Sequence, residues 1–236
     1  MKKLVTTLCT LAALALVANA SVAANAVRIS QVYSGGAGGS ATYLRDFVEL
    51  FNSSGSPVNV GGWALEYASA TSTWGGSGGT NYYVLPVGTI IQPCSYLLIE
   101  TGSAGTVGVA LPVAPDLSSP SSVLSLSNTA GNVGLFTSIA SNVTCAALNP
   151  SIVVDKVAYG AANCPEGTAA AGPANQATVL VRGNGGLADT DNNSVDFTGE
   201  STATALPRNS ASGANVACLA TPSMKGTWGA LKSIYR

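Results

Sequence analysis

Histidine is absent from all 236 residues. That single absence excludes imidazole acid–base chemistry, Ser-His-Asp and Cys-His nucleophile systems, and any metal site built on imidazole. Charge is scarce too, at 9% of the chain, with 10 Lys plus Arg against 11 Asp plus Glu. No basic run exists, and Arg28, Arg45, Arg182 and Arg208 are scattered. Nucleic acid is therefore a poor partner, because phosphate binding depends on concentrated positive charge. The 3.6-residue apolar period of amphipathic helices is missing as well, which disfavours a parallel sheet with crossover helices. Beyond the N-terminal segment, no run is apolar enough to span a bilayer.

Several patterns are present. Met1-Lys2-Lys3 is a short positive segment, residues 4–17 are apolar and Ala-rich, and two small-x-small sites follow, Ala18-Asn19-Ala20 and Ala24-Asn25-Ala26. This is the layout of a secretory signal peptide, and its apolar run falls short of the roughly 20 residues that a spanning helix needs. Cleavage is expected after Ala26, because Val27 opens a strand-like stretch. The remaining 210 residues carry a net charge of −3 once Lys2 and Lys3 are gone. Cys9 lacks the small residues that a lipoprotein signal sets before its cysteine. The expected destination is extracellular or the cell surface, with the periplasm as the other compartment open to an exported chain.

Removing Cys9 leaves Cys94, Cys145, Cys164 and Cys218. An even number in an exported chain points to two disulfides, with three pairings possible. The pairing expected is Cys145 with Cys164, bracketing a strand-like run, and Cys94 with Cys218 as a long-range staple. Free buried thiols are the other reading. A thiolate metal cluster is not expected, since the close paired spacing is missing.

With 27 Gly and 11 Pro, short β-prone runs alternate with breaks. Strands are expected at residues 27–32, 44–51, 62–67, 82–85, 96–100, 152–159 and 177–182. A hairpin is expected to join 123–126 to 133–136 through Ser127-Asn128-Thr129-Ala130-Gly131-Asn132. Residues 34–40 and 69–81 are expected as loops, and everything from Gly183 onward as a turn-rich wrap that Cys218 ties down. The imperfect alternation suits an all-β sandwich or barrel.

Two segments carry a family resemblance. Asp46-Phe47-Val48-Glu49-Leu50-Phe51-Asn52 is an acidic-aromatic-aliphatic-Glu strand ending in Asn. After a Ser/Gly/Pro turn comes Val58-Asn59-Val60-Gly61-Gly62-Trp63-Ala64-Leu65. Together they resemble the lamin-tail domain, and the likeness extends from about residue 27 to 212. It continues through Leu85-Pro86-Val87-Gly88, Val154-Asp155-Lys156-Val157 and Asp189-Thr190-Asp191-Asn192. Gly61 stands where Ser is common, and the Gly/Ser/Thr segment after Tyr67 is longer than usual. The resemblance implies an immunoglobulin-like β-sandwich. Three regions are expected: a signal peptide at 1–26, the sandwich at 27–212, and a C-terminal extension at 213–236 packed on it.

Candidate sites follow from single residues and clusters. Glu49 lies inside an apolar run, where a buried carboxylate needs backbone N–H groups or an arginine such as Arg45. Trp63 is expected as a core anchor. Asp189, Asp191, Asn193 and Asp196 supply hard oxygen donors within eight residues, with Glu200 within reach after a bend, which makes Ca²⁺ the metal to test. The competing reading is a solvated turn. Trp74, Tyr67, Tyr82 and Tyr83 surround the Gly/Ser insertion, where exposed rings could stack on a glycan. Asn52, Asn142 and Asn192 begin glycosylation-type triplets, although the style of the sequence is bacterial. No catalytic constellation emerges, so the chain is expected to be non-enzymatic. The leading expectation is a structural or interaction protein that self-associates at the cell surface. The alternatives are a soluble binding module for glycan or protein, calcium-assisted or not, and an accessory to a secreted nuclease.

Overall fold

The computed structural model describes residues 26–219 except Ser77. The segment up to residue 25, expected as most of a signal peptide, and the extension beyond 219 lie outside the described residues.

The described residues contain twelve strands: β1 (Val27–Tyr33), β2 (Asp46–Asn52), β3 (Val58–Asn59), β4 (Ala64–Ser69), β5 (Tyr82–Val84), β6 (Ile90–Ile91), β7 (Tyr96–Thr101), β8 (Leu117–Ser118), β9 (Gly131–Phe136), β10 (Val153–Tyr159), β11 (Thr178–Arg182) and β12 (Phe197–Ser201). They build a six-stranded sheet ordered β12-β11-β1-β2-β7-β8, a four-stranded sheet ordered β10-β9-β4-β5, and the small pair β3-β6. All pairings are antiparallel except β7 with β8. The inner faces meet in one core. Ile29, Val48, Leu50 and Ile99 come from the larger sheet, and Leu65, Val133, Leu135 and Val157 from the smaller. The expected all-β sandwich is therefore the fold.

All seven residues of β2 are buried, and the reason lies on its far face. Val48 and Leu50 enter the main core. Phe47 joins Tyr33, Tyr43, Leu98, Val179 and Ala205 in a second cluster. Tyr43, Leu111 and Val113 from loops, with Ala205 and Arg208 from the wrap, cover that outer face, so a strand with both faces protected shows no apolar–polar alternation. Trp63, half-buried, packs against the main core.

Both disulfides form as expected, Cys94–Cys218 and Cys145–Cys164. Cys94–Cys218 spans 124 positions and holds the C-terminal wrap beside β7, where Asn215 N–H also donates to the Cys94 carbonyl at 2.8 Å.

The expected hairpin does not form. β9 pairs with β4 and β10, while residues 123–126 form an irregular plug. Leu124 takes a left-handed φ of 57°, which breaks a strand. Its N–H donates to Thr80 O, the Val123 carbonyl accepts from Gly102, and Leu126 N–H donates to Asp46 Oδ2. The plug buries Leu124 and Leu126. The turn-rich wrap also contains a strand, β12, that the sequence did not mark. The very short β3, β6 and β8 carry too few residues to announce themselves. Ala26, the residue before β1, is itself buried.

Among the described residues, no helix is long and apolar enough to cross a membrane.

Candidate functional site

The acidic segment folds around a buried arginine. Arg182, at the end of β11, is fully enclosed. Its Nε donates to Ile29 O at 2.9 Å, its Nη2 donates to both oxygens of Asp155 at 2.9 and 2.7 Å, and its Nη1 donates to Asp189 Oδ1 at 3.2 Å. The guanidinium also lies 4.5 Å from the centre of the Phe197 ring. Asp189 turns its other oxygen to Arg28, whose Nε is 2.8 Å away. That Nε–H makes no aligned hydrogen bond, so the contact is a charge pair.

The four expected ligands separate at this corner. Asn193 is fully buried: its Oδ1 accepts from Ala158 N and Glu166 N, and its Nδ2 donates to Lys156 O. It therefore seals the outer edge of β10. Asp196 accepts from the Thr190 N–H, the Thr190 hydroxyl and the Asn192 N–H. Burial pushes its pKa up, but those bonds and the Arg182 charge outweigh it and hold the carboxyl below the usual value. Both side chains are thus occupied by the fold, as Asp and Asn in turns commonly are. Asp189 and Asp191 instead meet Glu166, with one oxygen of each within 4.8 Å of the others. Gly167 allows this approach, because a Cβ there would meet Asp191 O at 2.7 Å and Asn192 Cα at 2.8 Å. Glu166 lies 23 residues upstream of Asp189 in another loop, and sequence spacing alone gave no sign of it. Burial, followed by repulsion from Asp155, raises its pKa to about 8. A cavity of about 370 Å³ adjoins the corner, lined by Cys145, Val154, Lys156, Glu166 and Asp191 among others.

Glu49 is the second buried charge. It pairs with Arg208 (Nη2 to Oε1, 2.7 Å), not with Arg45, and also accepts from Arg208 N–H and the Ser30 hydroxyl. Arg208 lies over the Tyr96 ring, with its Cζ 3.8 Å from the centroid. Arg45 is taken by Glu100 and by the carbonyls of Gly102 and Ser119. Glu49 is thus a structural clasp between β2 and the wrap.

The lamin tail domain family matches residues 20–215, a range that takes in both the β2–β4 motif and the Arg182 corner. The chain belongs to that family. The lamin tail domain is a non-catalytic structural and binding module, and this chain is non-catalytic. A crystal structure of a DUF4876 family protein from Bacteroides thetaiotaomicron is similar to it at 12% identity and a TM-score of 0.48, with 80% of this chain and 75% of that one covered. No curated protein sequence matches the chain.

The remaining candidates on this lamin tail domain are mostly structural. Trp74 is buried and packs edge-on against Phe136, with ring centroids 5.1 Å apart. Tyr67 is buried, and its hydroxyl accepts from Ser127 N–H. The expected aromatic platform for glycan thus loses two of its four rings to the core, leaving Tyr82 and Tyr83 half-exposed. Asn52 is fully buried and brackets the turn after β2 by donating to Ser56, Ile91 and Gln92 carbonyls, so it cannot accept a glycan. Asn142 is exposed, and Asn192 is half-exposed.

Proposed function

We propose that this lamin tail protein is an exported structural or interaction protein that self-associates at the cell surface through the free edge of β12. The observation that carries the reading is the difference between two sheet edges. β10, at the rim of the smaller sheet, has its outer groups at Ala158 and Lys156 occupied by Asn193 and Ala171. β12 ends the larger sheet with no further neighbour among the described residues, and Thr198, Gly199, Glu200 and Ser201 are exposed. An uncovered edge strand is a template for another strand, and two-fold pairing of identical edges closes on itself. The weakly charged surface offers little repulsion against such pairing.

In an antiparallel pair centred on Gly199, Thr198 faces the partner's Glu200. Thr198→Glu would then set carboxylate against carboxylate. Light scattering over a wide concentration range should show the unaltered protein associating and the variant remaining monomeric at an unchanged melting temperature. A native protein that stays monomeric throughout overturns the reading.

Two other partners find less support. All four described arginines lie in intramolecular ion pairs, which leaves none for phosphate or for an accessory role on nuclease substrates. Glycan recognition keeps only Tyr82 and Tyr83 of its four expected rings. Calcium is retained as a second reading because the Glu166, Asp189 and Asp191 oxygens converge. Arg28 and Arg182 already neutralise Asp189, so the affinity expected is weak, on the order of millimolar. Ca²⁺ at ten millimolar should raise the melting temperature, and Asp191→Asn should abolish the rise. No rise at that concentration excludes calcium.

A further inference from the structure

The leader offers two small-x-small sites, one ending at Ala20 and one at Ala26, and the fold discriminates between them. Ala26 is 7% exposed, and its carbonyl accepts from both the Ser53 N–H at 2.7 Å and the Ser53 hydroxyl at 2.9 Å. Val27 is 1% exposed and opens β1 opposite Asn52, itself fully buried. Hydrolysis after Ala26 would remove the carbonyl that receives both Ser53 bonds. It would also leave a new ammonium on Val27, where the neighbouring groups are shielded from water. An unpaired charge in such a place is costly.

We infer that the leader is removed after Ala20, so that the exported chain begins at Ser21. A leader peptidase would hydrolyse the Ala20–Ser21 amide, with water supplying the hydroxyl of the Ala20 carboxylate and the hydrogen of the Ser21 amine. Ala18-Asn19-Ala20 meets the small-x-small requirement. Six residues then separate the charged terminus from β1. The family match begins at residue 20, one position before the proposed start. The inference rests on the export reading above.

The N-terminal residue of protein recovered from its own producing cells and from the culture medium, read by mass spectrometry, tests it. A terminus at Ser21 supports the inference. A terminus at Val27 overturns it while leaving export intact. A chain that retains Met1 overturns it by removing export itself. A second measurement is independent of processing: chains beginning at Ser21 and at Val27 are refolded with their disulfides and melted side by side. The shorter chain should melt at least ~2 °C lower, and equal melting temperatures would remove the physical basis of the choice.

Discussion

Burial of carboxylates gives individual residues here an unusual dependence on pH. Glu66, on β4, is fully buried; its Oε1 accepts from Ala140 N–H at 2.7 Å and its Oε2 has no hydrogen-bond partner among the described residues. Burial outweighs the backbone hydrogen bonds and lifts its pKa from 4.5 to about 7. Asp46, which ties Gly36 to Leu126, is raised to about 7 for the same reason. Because both native values exceed the unfolded ones, the native state holds more protons than the unfolded chain between about pH 4.5 and 7. Unfolding free energy from these groups therefore falls as pH rises through that window and levels off above it. Glu66 alone accounts for a few kcal/mol, on the order of 3. Denaturant titrations at pH 5 and pH 8.5 should show the protein more stable at the lower pH. Glu66→Gln, which cannot ionise, should narrow that gap. A gap unchanged in the variant would mean that Glu66 does not titrate in the window.

At the scale of elements, the strands that β-branched and aromatic runs mark in the sequence are the strands that form, and the exceptions have physical causes. The 123–126 run is apolar because Leu124 and Leu126 plug one region of the core, and apolar content alone does not distinguish a plug from a strand. β12 is polar and exposed at four of its five positions, so it carries no apolar pattern. Glu49 was legible as a buried carboxylate needing a cation. Its partner Arg208 lies 159 positions away, a separation that sequence spacing cannot resolve. The Asp189 cluster was visible as a group of oxygen donors, but which oxygens the fold would occupy depended on β10 and Arg182. Trp74 shows the same limit, since a Gly/Ser-rich setting suggests exposure while Phe136 and Ala140 enclose the ring. Trp74→Ala should accordingly destabilise the domain by about 3–5 kcal/mol. Urea unfolding measures this, and a cost below about 1 kcal/mol would return the ring to the surface.

On the scale of the whole molecule, the two disulfides and the buried ion pairs act on different parts. Cys145–Cys164 closes a local loop that contains β10, whereas Cys94–Cys218 joins the residues just before β7 to the wrap. Between these cysteines lie β7 to β12, including the edge on which the proposed association depends. The longer link has a mechanical consequence. Tension applied to the chain beyond Cys218 passes through the sulfur–sulfur bond to Cys94 and bypasses the 124 positions between them. Under oxidising conditions those residues cannot be drawn out as a linear thread, which hides a contour length of roughly 400 Å. Single-molecule stretching from the two termini should therefore show a short extension without reductant and an added length of about 400 Å with it. Equal extensions in the two conditions would show that the link does not carry the force. The covalent bridge thus acts as a stop on how far a pull on the C-terminal side can unravel the domain.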